Sequence, residues 1–370
     1  MGIIMRYFVG AVTCRWKFRF CGWLITVLFL MLLMLAACTE VAVEVIDNRA
    51  NYSTGRETIG VVDANGTRAL TIQGFASAAV YDLLDVTHHV TIIGSNGSVL
   101  RDLNYRAAQL QSNGSHIDYI AGDGVIFNNI AGVMADGPEI SITQVYDYAR
   151  YFLGNNERVM IILMDGWGWE MFQYFEHLQP FLSGKNPQPA LAAYPPITPV
   201  SLATIITGQL PNVHGINSRN DRMINDGVTD IFALASDLGR NVVYIQGHTN
   251  PISTSVMPIF SLAVEGSYAT DDVVFENARR NLDADFLFIH FHGIDDNAHA
   301  YGPYAIEVGE KMAQLDGYIN YLVDNWGVGY VIIAADHGLH PVYDNPGRLG
   351  DHFKVSHEDM IVPFVQFRVG

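Results

Sequence analysis

Val159-Met160-Ile161-Ile162-Leu163-Met164-Asp165-Gly166 decides the fold of the larger part of this chain. Six consecutive apolar side chains in a strand point to both of its faces in turn, so both faces must be covered. The same texture recurs at Val242-Val243-Tyr244-Ile245, Phe286-Leu287-Phe288-Ile289 and Tyr330-Val331-Ile332-Ile333-Ala334. Helical patterns lie between these runs, at 229–238, 271–282 and 304–325. Strands alternating with helices build βαβ units. The expected architecture is therefore α/β, a doubly wound and mostly parallel sheet with helices on both faces, occupying residues 156–370. In such sheets ligands bind beyond the carboxyl ends of the strands.

That rule picks out candidates. Asp165 follows the first apolar run, His292 and Asp295 the third, Asp336 and His337 the fourth. One Asp after a strand is an ordinary turn or cap residue. Several Asp and His at the same sheet edge are costly to cluster without a metal, so together they point to one. Ten of the thirteen histidines fall after residue 156, on this side of the chain.

Pro195-Pro196-Ile197-Thr198-Pro199-Val200-Ser201 through Thr207-Gly208 reads as a helix with Thr198 at its N-cap, Pro199 at the first helical position and Gly208 as terminator. A hydroxyl there faces free backbone N–H groups and the positive end of the helix dipole, a place suited to phosphate. A Thr hydroxyl becomes a nucleophile only when a metal or base activates it.

With these residues in view, the chain resembles the alkaline phosphatase superfamily, and within it the type I phosphodiesterase/nucleotide pyrophosphatase branch. Met164-Asp165-Gly166 is similar to that family's first ligand motif. Thr198, ten residues before Gly208 and upstream of Leu210-Pro211-Asn212-Val213-His214-Gly215-Ile216, falls where the family has its nucleophile. Asp295-Asp296-Asn297-Ala298-His299-Ala300-Tyr301-Gly302-Pro303 resembles its Asp-x-x-Gly-His-x-x-Gly-Pro, and Asp336-His337-Gly338 its second-site motif. Gly350-Asp351-His352, shortly before Met360-Ile361-Val362-Pro363, resembles its last ligand. The resemblance spans 157–368. It departs at Ala298, where the family has Gly, at Ser201, where relatives often have an Asn that contacts the phosphoryl group, and at Phe353, where a Gly usually follows the last ligand.

The resemblance implies a hydrolase of phosphodiester or pyrophosphate bonds with two divalent ions, zinc or alternatively manganese. Asp165, Asp336 and His337 would hold one beside Thr198, and Asp295, His299 and His352 the other. A covalent phosphothreonine would form on Thr198, with Ser201 contacting a phosphoryl oxygen. A phosphomonoesterase, a transferase of phospho-groups at the cell envelope, and a catalytically inactive surface lipoprotein are the alternatives. His214, His290, His292 and His340 are expected as supporting or packing residues, and Trp167 and Trp169 as packing.

Before residue 156 the texture differs. Short β-prone runs between 58 and 138 are punctuated by Asn65-Gly66, Asn96-Gly97 and Asn113-Gly114, dipeptides that favour tight hairpins with positive φ at both residues. A helix is expected over 140–153. This β-rich module, 58–155, carries no chemical constellation; the His88-His89 pair reads as surface residues, because neighbours on a strand face opposite ways. The whole chain is 49% apolar, which excludes bulk disorder, and its formal charge of −17 excludes nucleic-acid binding through basic patches.

Residues 1–37 stand apart, with Arg6, Arg15, Lys17 and Arg19, no acid, and a nearly pure apolar run at 24–35. They read as a secretory signal ending in Leu35-Ala36-Ala37-Cys38, similar to a bacterial lipobox in which Cys38 is lipidated; a transmembrane anchor is the alternative. Either reading places the remainder outside the cytoplasm on a membrane, where it would meet a phosphate-ester small molecule or an envelope phospho-compound. Residues 38–57 read as a tether. The other cysteines are Cys14 and Cys21, so the body has none for a disulfide.

Overall fold

The computed structural model describes residues 58–71, 76–262 and 271–370. The leader, Cys38 and the tether 38–57 lie outside the described residues. Among the described residues no helix is long and apolar enough to cross a membrane.

The four apolar runs form the centre of an eight-stranded sheet. Its order is Ile140–Ser141, Gln188–Leu191, Ile361–Val369, Gly329–Ala335, Val159–Met164, Phe286–Phe291, Val242–Gln246, Ile259–Phe260. The five strands from 329 through 259 in that order run parallel. Ile361–Val369 is antiparallel to both its neighbours, which makes the sheet mixed. Every residue of Val159–Met164 and of Phe286–Phe291 is buried, as continuous apolar runs require. Helices 231–237, 271–279 and 306–326 follow the sequence pattern within a few residues.

The 140–153 segment differs from expectation. Ile140–Ser141 is a strand paired in parallel with Ala190–Leu191, and the helix begins only at Gln144. That helix packs on Val159–Met164 and Gly329–Ala335. Residues 140–154 therefore contribute a strand and a helix to the large sheet, because Val145, Ala149, Phe152 and Leu153 form an apolar face covered by this sheet and by the helices Thr198–Thr207 and Ile231–Asp237.

The preceding residues form a five-stranded sheet, ordered 66–71, 58–63, 130–135, 90–94, 99–102, and a four-stranded one ordered 77–79, 109–112, 117–120, 126–127. All three Asn-Gly dipeptides sit in hairpins. Only their glycines take positive φ (113°, 78° and 87°). The asparagines instead use their side chains: Asn96 and Asn113 each accept a backbone N–H two residues on. His89 is buried, with Nε2 3.1 Å from Gly137 O, and only His88 is a surface residue.

The five-stranded sheet shares a core with the C-terminal strand: Val62, Ile93, Ala131 and Met134 pack with Leu191, Tyr194, Val355, Met360 and Ile361. Gly60 and Gly132 lack the Cβ that would collide with Val355. His357 Nε2 donates to Asp63 O (3.1 Å). The N-terminal sheet thus braces the 352–361 segment.

Candidate active site

The sheet's carboxyl edge gathers the expected residues. Gly166, with φ 74°, lets the turn after Asp165 press against the Asp295 loop; a Cβ there would lie 2.8 Å from Asp295 Cα. Asp295 N donates to Asp165 O (3.1 Å), fastening these two strand ends together. The Asp336 carboxylate ties in a third, accepting from Gly166 N (3.0 Å) and His337 N (2.9 Å) through Oδ1.

Thr198 begins the helix Thr198–Thr207, with Ile197 as its cap residue, one position earlier than the expected cap. Pro199 follows and Gly208 closes it at φ 67°. Thr198 Oγ1 lies 3.5 Å from Asp165 Oδ1 and 3.4 Å from His337 Nε2. His337 Nε2 is 3.6 Å from Asp165 Oδ1 and 3.3 Å from Asp336 Oδ2. A second cluster adjoins the first. Asp295 Oδ2 is 3.3 Å from His299 Nε2, and Asp295 Oδ1 is 3.9 Å from His352 Nε2. The His352 ring stacks on His337 at 4.0 Å. Ser201 does not join them: it is wholly enclosed in the first turn and its Oγ has no hydrogen-bond partner.

Two features test whether these residues fit metal ions. First, each of the three imidazoles commits its Nδ1 to a backbone carbonyl: His337 to Gly338 O (3.2 Å), His299 to Gly350 O (2.7 Å), His352 to Pro196 O (2.7 Å). That places the proton on Nδ1 and leaves each Nε2 lone pair facing the carboxylates, the arrangement of a ligand with its outer partner in place. Second, Asp336 Oδ2 and Asp295 Oδ1 are buried without a hydrogen-bond donor. Buried carboxylate oxygens without partners are expensive unless a cation meets them. Three groups within the cluster have ligand atoms close enough to share an ion: Asp295/His299/His352, Asp165/Asp295/His337 and Asp165/His290/His292. The donor set suits divalent ions.

The electrostatics agree. Burial, followed by the charge of Asp165, pushes the Asp336 carboxyl up to about 8. Burial also acts on Asp165, but the hydrogen bonds of His290 and His292 outweigh it and hold that carboxyl well below the usual range. Burial and the neighbouring imidazoles keep His352 neutral.

The sequence predicts no more than a supporting role for His290 and His292, and the structure gives them a definite place. His290 Nε2 and His292 Nδ1 lie 3.1 and 3.0 Å from the same oxygen, Asp165 Oδ2. Asp165 Oδ1 is thereby turned toward Thr198. His292 Nε2 donates to Gln246 Oε1 (2.8 Å), which also accepts from Gly247 N. Their His-x-His spacing at one strand end is the sequence signal for this pairing, since residues two apart share a face. His214 packs inside, bonded to Thr204 Oγ1 (3.0 Å), and His340 pairs with Asp359 (2.8 Å). Trp167 is fully buried and Trp169 packs against the core. Arg219 and Arg348 also reach the cluster, and they have no sequence signal: single basic residues in loops carry none.

Comparison with known proteins identifies the family. The family model for type I phosphodiesterase / nucleotide pyrophosphatase matches residues 159–238 and 249–363. The chain belongs to that family, a metal-dependent group within the alkaline phosphatase superfamily. It is 29% identical over 157 residues to the mouse (Mus musculus) GPI ethanolamine phosphate transferase 3 catalytic subunit, covering 39% of this chain and 14% of that protein. It is 24% identical over 223 residues to venom phosphodiesterase 2 of Crotalus adamanteus, covering 50% and 27%. The match thus spans only a minor part of these relatives. Among solved structures it is similar to phosphonoacetate hydrolase of Sinorhizobium meliloti 1021 (19% identity, 50% of this chain and 57% of that one, TM-score 0.40). It is also similar to human ectonucleotide pyrophosphatase/phosphodiesterase 5 (13%, 57% and 87%, TM-score 0.43).

Proposed function

We propose that this protein hydrolyses phosphate esters, cleaving phosphodiester or pyrophosphate bonds by way of a phosphothreonine on Thr198. The observation that carries the reading is the position of Thr198 Oγ1 between Asp165 Oδ1 and His337 Nε2 at the start of a ten-residue helix. In this reading Asp165, Asp336 and His337 hold one divalent ion and Asp295, His299 and His352 another, with zinc favoured by the imidazole–carboxylate set and manganese the alternative. Bound there, such ions supply Lewis acidity that lowers the Thr198 pKa and shields charge on the leaving oxygen. The chain's own residues do the rest. His290 and His292 fix Asp165 so that one oxygen faces Thr198. The helix start presents its positive end to the phosphoryl oxygens. Asp295 and His299 mark the end of the site away from Thr198, where a leaving group departs in line.

The similarity to an ethanolamine phosphate transferase favours a second reading in which an alcohol, not water, takes the phosphoryl group from Thr198. Both readings share the covalent step and differ only in the acceptor. We further place the protein outside the cytoplasm, anchored through Cys38; label from a fatty-acid analogue should appear in the chain and vanish in Cys38→Ala.

The test is hydrolysis of bis-p-nitrophenyl phosphate and p-nitrophenyl phosphate by the zinc-loaded full chain. Cleavage lost in Thr198→Ala with zinc content unchanged supports the nucleophile. Turnover that persists in the variant overturns it. Activity that emerges only when an alcohol is added favours transfer.

A further inference from the structure

Two guanidinium groups reach the ligand cluster from separate loops. Arg219, in the loop after the short helix Pro211–His214, places Nη2 3.1 Å from His352 Nε2. Arg348 places Nη2 3.0 Å from His299 Nε2. In both contacts the arginine donates, because each imidazole has given its own proton to a backbone carbonyl. The N–H groups therefore point at the lone pairs that a metal ion takes in the proposed enzyme. An ion on those lone pairs would displace each guanidinium from this acceptor and leave its N–H groups available to another partner.

Both arginines are held in place. The Arg219 guanidinium lies 5.0 Å from the Phe353 ring centroid, and Phe353 stacks on His352 at 5.0 Å with planes 11° apart. Phe353 keeps a φ of 120°, which L residues rarely adopt, so the surrounding structure imposes this placement. Arg348 is tied by Asp351 at 2.9 Å. Both contact the histidines of the Asp295/His299/His352 end of the site, whereas Thr198 Oγ1 bonds at the Asp165/His337 end. Arg219, and Arg348 beside its Asp351 partner, put positive charge at this end of a carboxylate-rich site, where it can meet negative charge that a substrate brings.

We infer that Arg219 and Arg348 form a two-guanidinium clamp that selects substrates carrying more than the single charge of a simple phosphodiester, resting on the phosphoester reading above. The additional charge has two sources with the same chemistry. In a phosphomonoester it lies on the reacting phosphoryl group. In a pyrophosphate it lies on the departing phosphate. Planar guanidinium forks match either.

The experiment uses the zinc-loaded full chain with Arg219→Gln and Arg348→Gln. Three probes are compared by kcat/KM: bis-p-nitrophenyl phosphate, p-nitrophenyl phosphate and diadenosine pyrophosphate. Binding of inorganic phosphate is measured separately by calorimetry. A charge-assisted hydrogen bond is worth about tenfold to a hundredfold. Each variant should therefore lose about that factor on the doubly charged probes and in phosphate affinity, with the diester changed less than about threefold and zinc content unchanged. A larger loss on the monoester than on the pyrophosphate places the charge on the reacting group, and the reverse order places it on the leaving group. Equal losses on all three probes, or none, overturn the clamp. Should the wild-type chain cleave none of them, the phosphoester reading fails by itself, and the calorimetry still decides whether the two arginines bind a phosphate dianion.

Discussion

Asp336→Asn should stabilise the metal-free protein at alkaline pH and remove the loss of stability that this carboxylate causes as pH rises. Asp336 is fully buried, its Oδ2 has no donor, and burial with the neighbouring Asp165 charge raises its carboxyl from 3.8 to about 8. Between these values the folded chain holds a proton that the unfolded chain has released. Folding is therefore progressively disfavoured as pH rises through that window. Each tenfold in proton affinity is worth about 1.4 kcal/mol, so the full cost above pH 8 has an upper bound of about 5–6 kcal/mol. Relaxation of the site as water reaches the carboxylate offsets roughly half, leaving about 2–3 kcal/mol. An Asn keeps the shape and the Oδ1 acceptor for Gly166 and His337 but carries no charge. The assay is urea unfolding in EDTA at pH 5 and pH 8, then at pH 8 with saturating zinc. Relative to the variant, the wild-type chain should lose about 2 kcal/mol between the two pH values, because part of the titration lies below pH 5, and should regain stability with zinc. The variant should keep only the pH dependence of the other groups, His214 among them, and gain much less from zinc. If Asp336→Asn were instead destabilised in EDTA at pH 8, the claim that this carboxylate sits uncompensated until a cation binds would be refuted.

Two further outcomes follow from groups remote from the proposed ions. Burial lowers the His214 imidazole from 6.5 to about 4, so its stabilising neutral state is complete above pH 6.5 and lost as pH falls toward 4; this slope, up to about 3 kcal/mol, should disappear in His214→Gln, measured as the difference in unfolding free energy at pH 6.5 and 4.5. Arg158 donates to Ala284 O (2.9 Å), Leu282 O (2.5 Å) and Trp326 O (2.9 Å), and its guanidinium lies 3.9 Å from the Trp326 ring. Arg158→Ala should cost about 2–4 kcal/mol in urea unfolding and leave kcat per zinc-loaded molecule unchanged, because these contacts lie at the opposite end of the strands from Asp165; a fall in kcat with full zinc would contradict that separation.

The four central strands are legible in the sequence because a parallel strand buried on both faces has to be apolar at every position, and 159–164 and 286–291 satisfy this. The ligand residues are legible for a related reason. Asp165 and Asp336 come immediately after such runs, and Asp295 within a few residues of one, so the point where each apolar run stops marks the strand end that carries them. The helix start expected at 140 is wrong for a local cause: Ile140–Ser141 is too short to display a period, and its pairing with Ala190–Leu191 lies fifty residues away. The buried state of His89 is equally invisible in the sequence, since its partner is the Gly137 carbonyl.

By itself the sequence determined which side chains can be buried, where strands end, and therefore which Asp and His collect at one edge. That information is local: it lies in runs, periods and the residue that breaks them. Only the tertiary structure decided how those groups are aimed. The Nδ1 partners of His299 and His352 are backbone carbonyls of Gly350 and Pro196, 51 and 156 residues away. Arg219 reaches His352 across 133 residues. Backbone carbonyls are the same for every residue type, and a guanidinium's direction depends on the loop that carries it. Neither leaves a pattern in the sequence, and both are fixed only when the sheet brings its loops together.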